Sequence, residues 1–367
     1  MLVQRVVMPV SSLESWTVLG DDDLPVGPVE RYLAYLTDIE RSPNTVKAYA
    51  HDLKDWFTFL GLRGLDWREV ALEDLGEFVA WLRLLPAGRD RRVAILPSVE
   101  HHVSVATVNR KLSALSAFYL HAARHGVDLG GLLVTWGPGR RSGWKPFLHH
   151  ISKSQPAARR TIALKTPRKL PRVLTADEVQ MILDACGRLR DRLLFAVLYD
   201  TGMRVGEALG LRHEDIAAAE REVTVVPRHN ANGARTKSAN TRTIPVSAEL
   251  IRLYADYLHE EYGDLDSDYV FVNLWGQPHG HPLAYPAVYD LVGRLRRRTG
   301  VVFDPHWYRH TAATRLLRDG VPVEVVSVIL GHASITTTSE TYGHLTSEDA
   351  RRVLEAAGWF TGRQVSW

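Results

Sequence analysis

A single cysteine, Cys186, among 367 residues excludes an intramolecular disulfide and a thiolate metal cluster, and fits a reducing compartment. Long apolar runs are missing too. The longest, such as Leu193 to Tyr199, fall far short of a bilayer's thickness, so no membrane role is expected. The first residues hold one arginine, a short apolar run from Val6 to Val10 and then Asp21, Asp22 and Asp23, the wrong order for a secretory signal. No trio of carboxylates stands out as a holder of two metal ions, which speaks against two-metal chemistry. No cofactor and no metal are expected, and the cytoplasm is the expected compartment.

Acidic residues are absent from one long stretch. Between Arg140 and Arg172 there are ten basic residues and no Asp or Glu, although the whole chain has 45 Lys and Arg against 42 Asp and Glu. The rest of the chain is therefore net negative. Pro146, Pro156, Pro167 and Pro171 interrupt the stretch, which reads as a basic, extended linker over residues 129–172.

Around it the apolar periodicity is mainly helical. Val29 to Ile39 is one helix; Ser42 with Pro43 opens another, striped by Tyr49, Leu53, Trp56, Phe57 and Leu60; Leu72–Leu84 and Thr107–Arg124 follow. This gives a helical domain over residues 28–128, preceded by an extension over 1–27. Downstream, over 173–360, Thr175 and Glu178 form a capping box, Leu189–Thr201 ends at Gly202, and Ser247 caps a further helix. Helices are also expected over Tyr285–Arg298, from Pro305 through Leu317, and over Val323–Leu330. Glu222–Pro227 and Arg242–Val246 are strand-like and suggest a hairpin; Tyr269–Val272 is a further strand candidate. The expected fold class is mainly α, in the α+β sense, with one small antiparallel sheet and a tail at 361–367.

Three polar segments of the second domain have no evident structural need. Arg204 follows the helix-ending Gly202, with Glu207 placed to steady its guanidinium; taken alone the pair reads as a surface ion pair. His306, Arg309 and His310 share a helical face, where a guanidinium and an imidazole suit one anion. Zinc at His306 and His310 is disfavoured, because no Glu follows the first His and thiolates are lacking. His332 sits just past a helix end, and Tyr342, taken singly, reads as a packed aromatic.

Together, Met203-Arg204-Val205-Gly206-Glu207, His306-Trp307-Tyr308-Arg309-His310, Leu330-Gly331-His332 and Tyr342 resemble the successive boxes of the tyrosine recombinases, or phage integrase family. The spacings of 3, 23 and 10 positions from His306 through Arg309 and His332 to Tyr342 match that order. Ser42-Pro43-Asn44-Thr45-Val46-Lys47-Ala48-Tyr49 independently resembles the family's N-terminal, SAM-like core-binding domain. The resemblance implies that Arg204 and Arg309 grip a scissile phosphate, that His306 and His332 assist, and that Tyr342 is the nucleophile. Lys237, in Arg235-Thr236-Lys237-Ser238, is implied as the catalytic lysine.

It further implies double-stranded DNA with specific sites as partner, a homotetramer exchanging a C-terminal helix (Ser347–Phe360), room for accessory proteins, and a nucleoid location. DNA-contacting candidates are Asn44, Thr45, Lys47, Tyr49, Arg110, Lys111, Lys165, Arg168 and Lys169. The implied function is a site-specific recombinase working through a 3′-phosphotyrosine, as the integrase or transposase of a mobile element. The alternatives are an Xer-type dimer resolvase, a type IB topoisomerase or an inactive DNA-binding relative.

Overall fold

Ser42 and Pro43 begin a helix as the sequence predicts, the Ser42 hydroxyl accepting from the Thr45 amide at 3.2 Å and Pro43 filling the first turn. The computed structural model describes residues 1–7, 14–86, 89, 102–127, 129, 134–137, 157–165, 171–236 and 240–331. The chain divides into two compact units, 1–168 and 169–367.

In the first unit, strands β1 (Leu2–Val7) and β2 (Glu14–Leu19) pair antiparallel. They are followed by helices α1 (Gly27–Asp38), α2 (Pro43–Arg63), α3 (Leu72–Arg83) and α4 (Val105–Ala123). Their shared core is aromatic, with Tyr32, Trp56, Phe57, Phe59, Phe78, Trp81, Phe118 and Tyr119 buried. The Trp56 indole donates to the Tyr119 hydroxyl at 3.1 Å, and that hydroxyl donates to the Trp67 carbonyl at 2.9 Å, so the rings are satisfied as well as packed.

The N-terminal extension belongs to this unit. Val18 of β2 lies fully buried in its core, and Ser15 bonds Thr37 of α1 at 2.8 Å. Its strands went unpredicted, since six-residue runs with mixed polar residues carry little period-2 signal.

Within the span expected to be an extended linker, strands β3 (Val134–Gly137) and β4 (Ala157–Arg160) pair antiparallel. Past them, Asn109 of α4 reads the Leu164 backbone at both ends, donating to its carbonyl at 2.8 Å and accepting from its amide at 2.9 Å. Ile162 and Leu164 pack against the core, so this part of the basic segment is docked on the first unit and is no free tether.

The second unit contains α5 (Ala176–Asp184), α6 (Leu189–Thr201), the one-turn α7 (Val205–Ala208), β5 (Ile216–Ala217), β6 (Glu222–Val225), β7 (Arg242–Pro245) and α8 (Ala248–Tyr257). Then come α9 (Tyr285–Thr299), α10 (Pro305–Arg318) and α11 (Val323–Leu330). The capping box at Thr175 and Glu178 forms, as does the cap at Ser247. The expected hairpin is the β6–β7 pair, and β5 adds a third strand. Tyr269–Val272 forms isolated bridges to Arg212 and Pro282 in place of the expected strand. Its burial comes from a loop that crosses the core, with Val270, Phe271 and Val272 all inside.

A buried charge ties α2 to α4. Asp52 is fully buried and takes Lys111 Nζ at 3.0 Å together with the Arg110 guanidinium, while Lys111 also reaches Asp55 at 2.8 Å. Removing Asp52 leaves the buried Lys111 ammonium with Asp55 alone as its anion, so Asp52→Ala is expected to cost about 2–3 kcal/mol in urea denaturation. Adding Lys111→Met should recover part of that loss.

Candidate functional site

Helix α6 ends at Gly202 in a left-handed turn with φ of +64°. A Cβ there would stand 2.9 Å from a Leu330 methyl and 3.0 Å from the Ala312 Cβ, so glycine lets the end of α6 press against α10 and α11. Two residues later Arg204 caps the N-terminus of α7.

Arg309, from the first half of α10, fastens this junction. Its side chain is 2% exposed, donating from Nη1 to the Gly202 carbonyl at 3.1 Å and from Nη2 to the Leu330 carbonyl at 2.7 Å. Both acceptors lie at helix C-termini, where carbonyls lack intrahelical partners and the dipole is negative. The ends of α6 and α11 thus hold one guanidinium, and the sequence-predicted pair Arg204 and Arg309 converges around Gly202.

Glu207, one turn into α7, holds Arg204 twice. Its Oε1 accepts from Arg204 Nη1 at 2.8 Å and its Oε2 from the Arg204 amide at 2.9 Å. The carboxylate is buried, and a third group compensates it: Arg242 of β7 donates from Nη2 to Oε2 at 2.7 Å and from Nη1 to Oε1 at 3.5 Å. Burial would raise the Glu207 carboxyl, yet the bonds and charge of Arg242, and then of Arg204, hold it below its ordinary value. It remains an anion at neutral pH. Arg204 keeps part of its guanidinium in solvent, its side chain being 23% exposed.

His306 stands exposed on the first turn of α10, where the Asp304 side chain accepts from its amide at 2.9 Å. Its ring meets that of His310 edge to face, 4.6 Å between centroids. The His310 imidazole is pushed down to about 4, first by burial and then by the neighbouring His306 and Arg309. It is neutral at physiological pH.

Of the residues predicted from sequence, Arg204 and Arg309 meet at the Gly202 turn, and His306 lies three positions before Arg309 on α10. Lys237, His332 and Tyr342 lie outside the described residues. Arg242 was missed as part of the site because Arg242–Val246 reads only as a strand. The available signal was register: with Ile244 facing inward, Arg242 two positions earlier must face inward as well, and a buried arginine needs an anion.

Asn44, Thr45, Lys47, Tyr49, Arg110 and Lys165 all fall in the first unit, and Arg168 and Lys169 lie outside the described residues. Asn44, Lys47 and Lys165 are exposed, and the Lys47 ammonium sits 4.6 Å over the Trp16 ring. Thr45 serves the cap at Ser42, and Tyr49 stacks on Tyr32. Arg110 is half exposed with one edge held by Asp52, whereas Lys111 is buried in its ion pairs and serves the α2–α4 contact. Among the described residues no helix is long and apolar enough to cross a membrane, and no cluster of three or more His, Cys, Asp or Glu could hold a metal ion.

Two family descriptions match the chain: the phage integrase family over residues 172–349, and the phage integrase N-terminal SAM-like domain over residues 29–126. Transposase A from transposon Tn554 of Staphylococcus aureus is 37% identical over 353 residues, 96% of each chain. Tyrosine recombinase XerD of Mycobacterium tuberculosis is 30% identical over 347 residues, 90% of this chain and 96% of the other. Among solved structures, the Tn1549 transposon integrase in complex with a circular intermediate DNA aligns with TM-score 0.59 at 18% identity, covering 90% of this chain and 99% of that one. The XerH site-specific recombinase bound to its difH substrate aligns with TM-score 0.56 at 21% identity, covering 88% and 81%.

The His310 imidazole carries a pH signature. Unfolded, it takes a proton near pH 6.5; folded, it resists until about 4, so stability falls as pH drops through that interval and is unaffected above it. In paired urea titrations, His310→Gln should lose less stability than wild type between pH 7 and 4.5. Parallel losses would contradict this.

Proposed function

The chain belongs to the phage integrase family, the tyrosine recombinases, and we propose that it cuts and rejoins double-stranded DNA at specific sites through a 3′-phosphotyrosine on Tyr342. The observation that carries this reading is the pair Arg204 and Arg309, fixed at one junction by Glu207 and by two helix C-termini.

A phosphodiester gains charge on its non-bridging oxygens when a nucleophile attacks. Guanidiniums already held in place stabilise that charge without reorganising, which lowers the barrier more than it tightens ground-state binding. In this reading Arg204 and Arg309 bracket the phosphate. The Tyr342 phenol, with an ordinary pKa near ~10, gives up its proton with histidine help from His306 and His332. Its oxygen bonds to phosphorus, the bond to the 5′ oxygen breaks, and Lys237 supplies the proton that makes the departing group a 5′ hydroxyl. The phosphotyrosine conserves the ester, so a 5′ hydroxyl of another strand reverses the step without ATP.

The higher identity to the transposase than to the Xer recombinase supports a mobile-element role over chromosome or plasmid dimer resolution. Cooperation of four protomers on two sites, with Ser347–Phe360 docking on a neighbour, is the proposed assembly. The cytoplasm, on the nucleoid, is its proposed place of work. Asn44, Lys47, Arg110 and the basic residues Lys165, Arg168 and Lys169 are the proposed contacts to DNA phosphates, which position the enzyme without reading sequence.

Nicked suicide substrates built from the DNA flanking the gene test the reading. Wild type should form a covalent protein–DNA adduct, and Tyr342→Phe should form none. Arg204→Ala and Arg309→Ala should retain DNA binding while cleaving about 10²- to 10³-fold more slowly. Equal trapping by wild type and Tyr342→Phe would refute the nucleophile.

A further inference from the structure

One cation at the site has no part in the chemistry above. Arg242 is buried on the inward side of β7, and its fork serves two different elements. Nη2 and Nη1 face the Glu207 carboxylate, while Nε donates to the Ile329 carbonyl in the last turn of α11 at 2.8 Å. Backbone closes the guanidinium in: Gly331 is left-handed, with φ of +63°, and a Cβ on it would lie 2.8 Å from Nη1.

The consequences run both ways from this one side chain. On one side, Arg242 neutralises the carboxylate that orients Arg204 through both its side chain and its amide. On the other, it fixes the carbonyl of Ile329, next to Leu330, whose carbonyl is an anchor of Arg309. The residue that follows Gly331 is His332.

We propose that Arg242 is a positioning residue that holds Arg204 and the C-terminal end of α11 in register, so that one buried guanidinium places both flanks of the phosphate site. The proposal rests on the recombinase reading for its effect on rate and on geometry alone for its effect on structure. Lysine cannot substitute, because a single ammonium lacks the planar fork needed to serve a carboxylate and a carbonyl on opposite sides.

Arg242→Lys in the full-length chain tests this. DNA binding should stay within about twofold of wild type, while single-turnover adduct formation slows at least about tenfold, the effect of losing a charged hydrogen bond that orients a reacting group. Glu207→Gln should slow it similarly, and the double variant should be no slower than the slower single variant, since both break one network. Hydrogen exchange supplies a readout independent of activity. The Arg204 amide and the amides at Leu330 and Gly331 should exchange faster together in Arg242→Lys, with the rest of the second unit unchanged.

Wild-type cleavage by Arg242→Lys, multiplying rate losses in the double variant, or faster exchange on one flank alone would overturn the proposal. Should Arg242→Lys fail to fold, Gly331→Ala presses on the guanidinium from the far side with every charge kept. Faster exchange at the Arg204 amide with the Gly202 and Met203 amides unchanged would then report transmission through Arg242 and not through Leu330, Arg309 and Gly202; no change at Arg204, or a change shared with Gly202 and Met203, would refute it. If wild type itself forms no adduct, the recombinase reading fails, and the paired exchange still decides the positioning role.

Discussion

Everything at the site depends on keeping several guanidiniums together without mutual repulsion. Arg204, Arg242 and Arg309 gather around the junction of α6, α7 and α11, and each is matched to a particular source of negative charge. Glu207 serves two of them, and the C-terminal carbonyls of two helices serve the third. A buried carboxylate with one partner is costly, and with two it is a fixed element of structure. The same arrangement has chemical value. In the proposed reading, groups held by carboxylate and carbonyl neighbours are already oriented when a phosphate arrives, so no reorganisation is needed as charge develops.

The first unit contributes by different means. Its aromatic core and the buried Asp52 hold its helices together, and its candidate phosphate contacts are carried on α2, on α4 and on the basic segment docked by Asn109. Asp52 shows how one residue can divide two basic neighbours between roles. Lys111 is drawn inside to balance the carboxylate, while Arg110 keeps half of its side chain in solvent with one edge already anchored. Adjacent basic residues in a sequence therefore do not have equal access to a ligand.

Much of this was legible from residues alone. Caps at Ser42, Thr175 and Ser247 and the stops at Gly202 and Gly331 have strong local chemistry, and the elements they bound lie where expected. Spacing and family resemblance put Arg204, His306 and Arg309 forward as candidates, and Arg204 and Arg309 meet at the Gly202 turn. The N-terminal hairpin was not, because short strands with mixed faces resemble loops until a helix packs on them. The docking of the Leu164 end of the basic, extended linker was not legible, because it depends on Asn109, a single polar residue 55 positions away in sequence. Arg242 escaped for the same reason: its partners, Glu207 and Ile329, come from distant parts of the chain, and no local pattern announces them.

The central claim is that these arginines present a DNA phosphate to Tyr342. The most direct measurement is to trap the covalent adduct, digest both protein and DNA, and locate the residual nucleotide by mass spectrometry while end-labelling the released strand. A nucleotide joined through its 3′ phosphate to Tyr342, with a released 5′ hydroxyl that a kinase labels without prior phosphatase treatment, is the predicted result. Attachment to another residue, or a link through a 5′ phosphate, would contradict it.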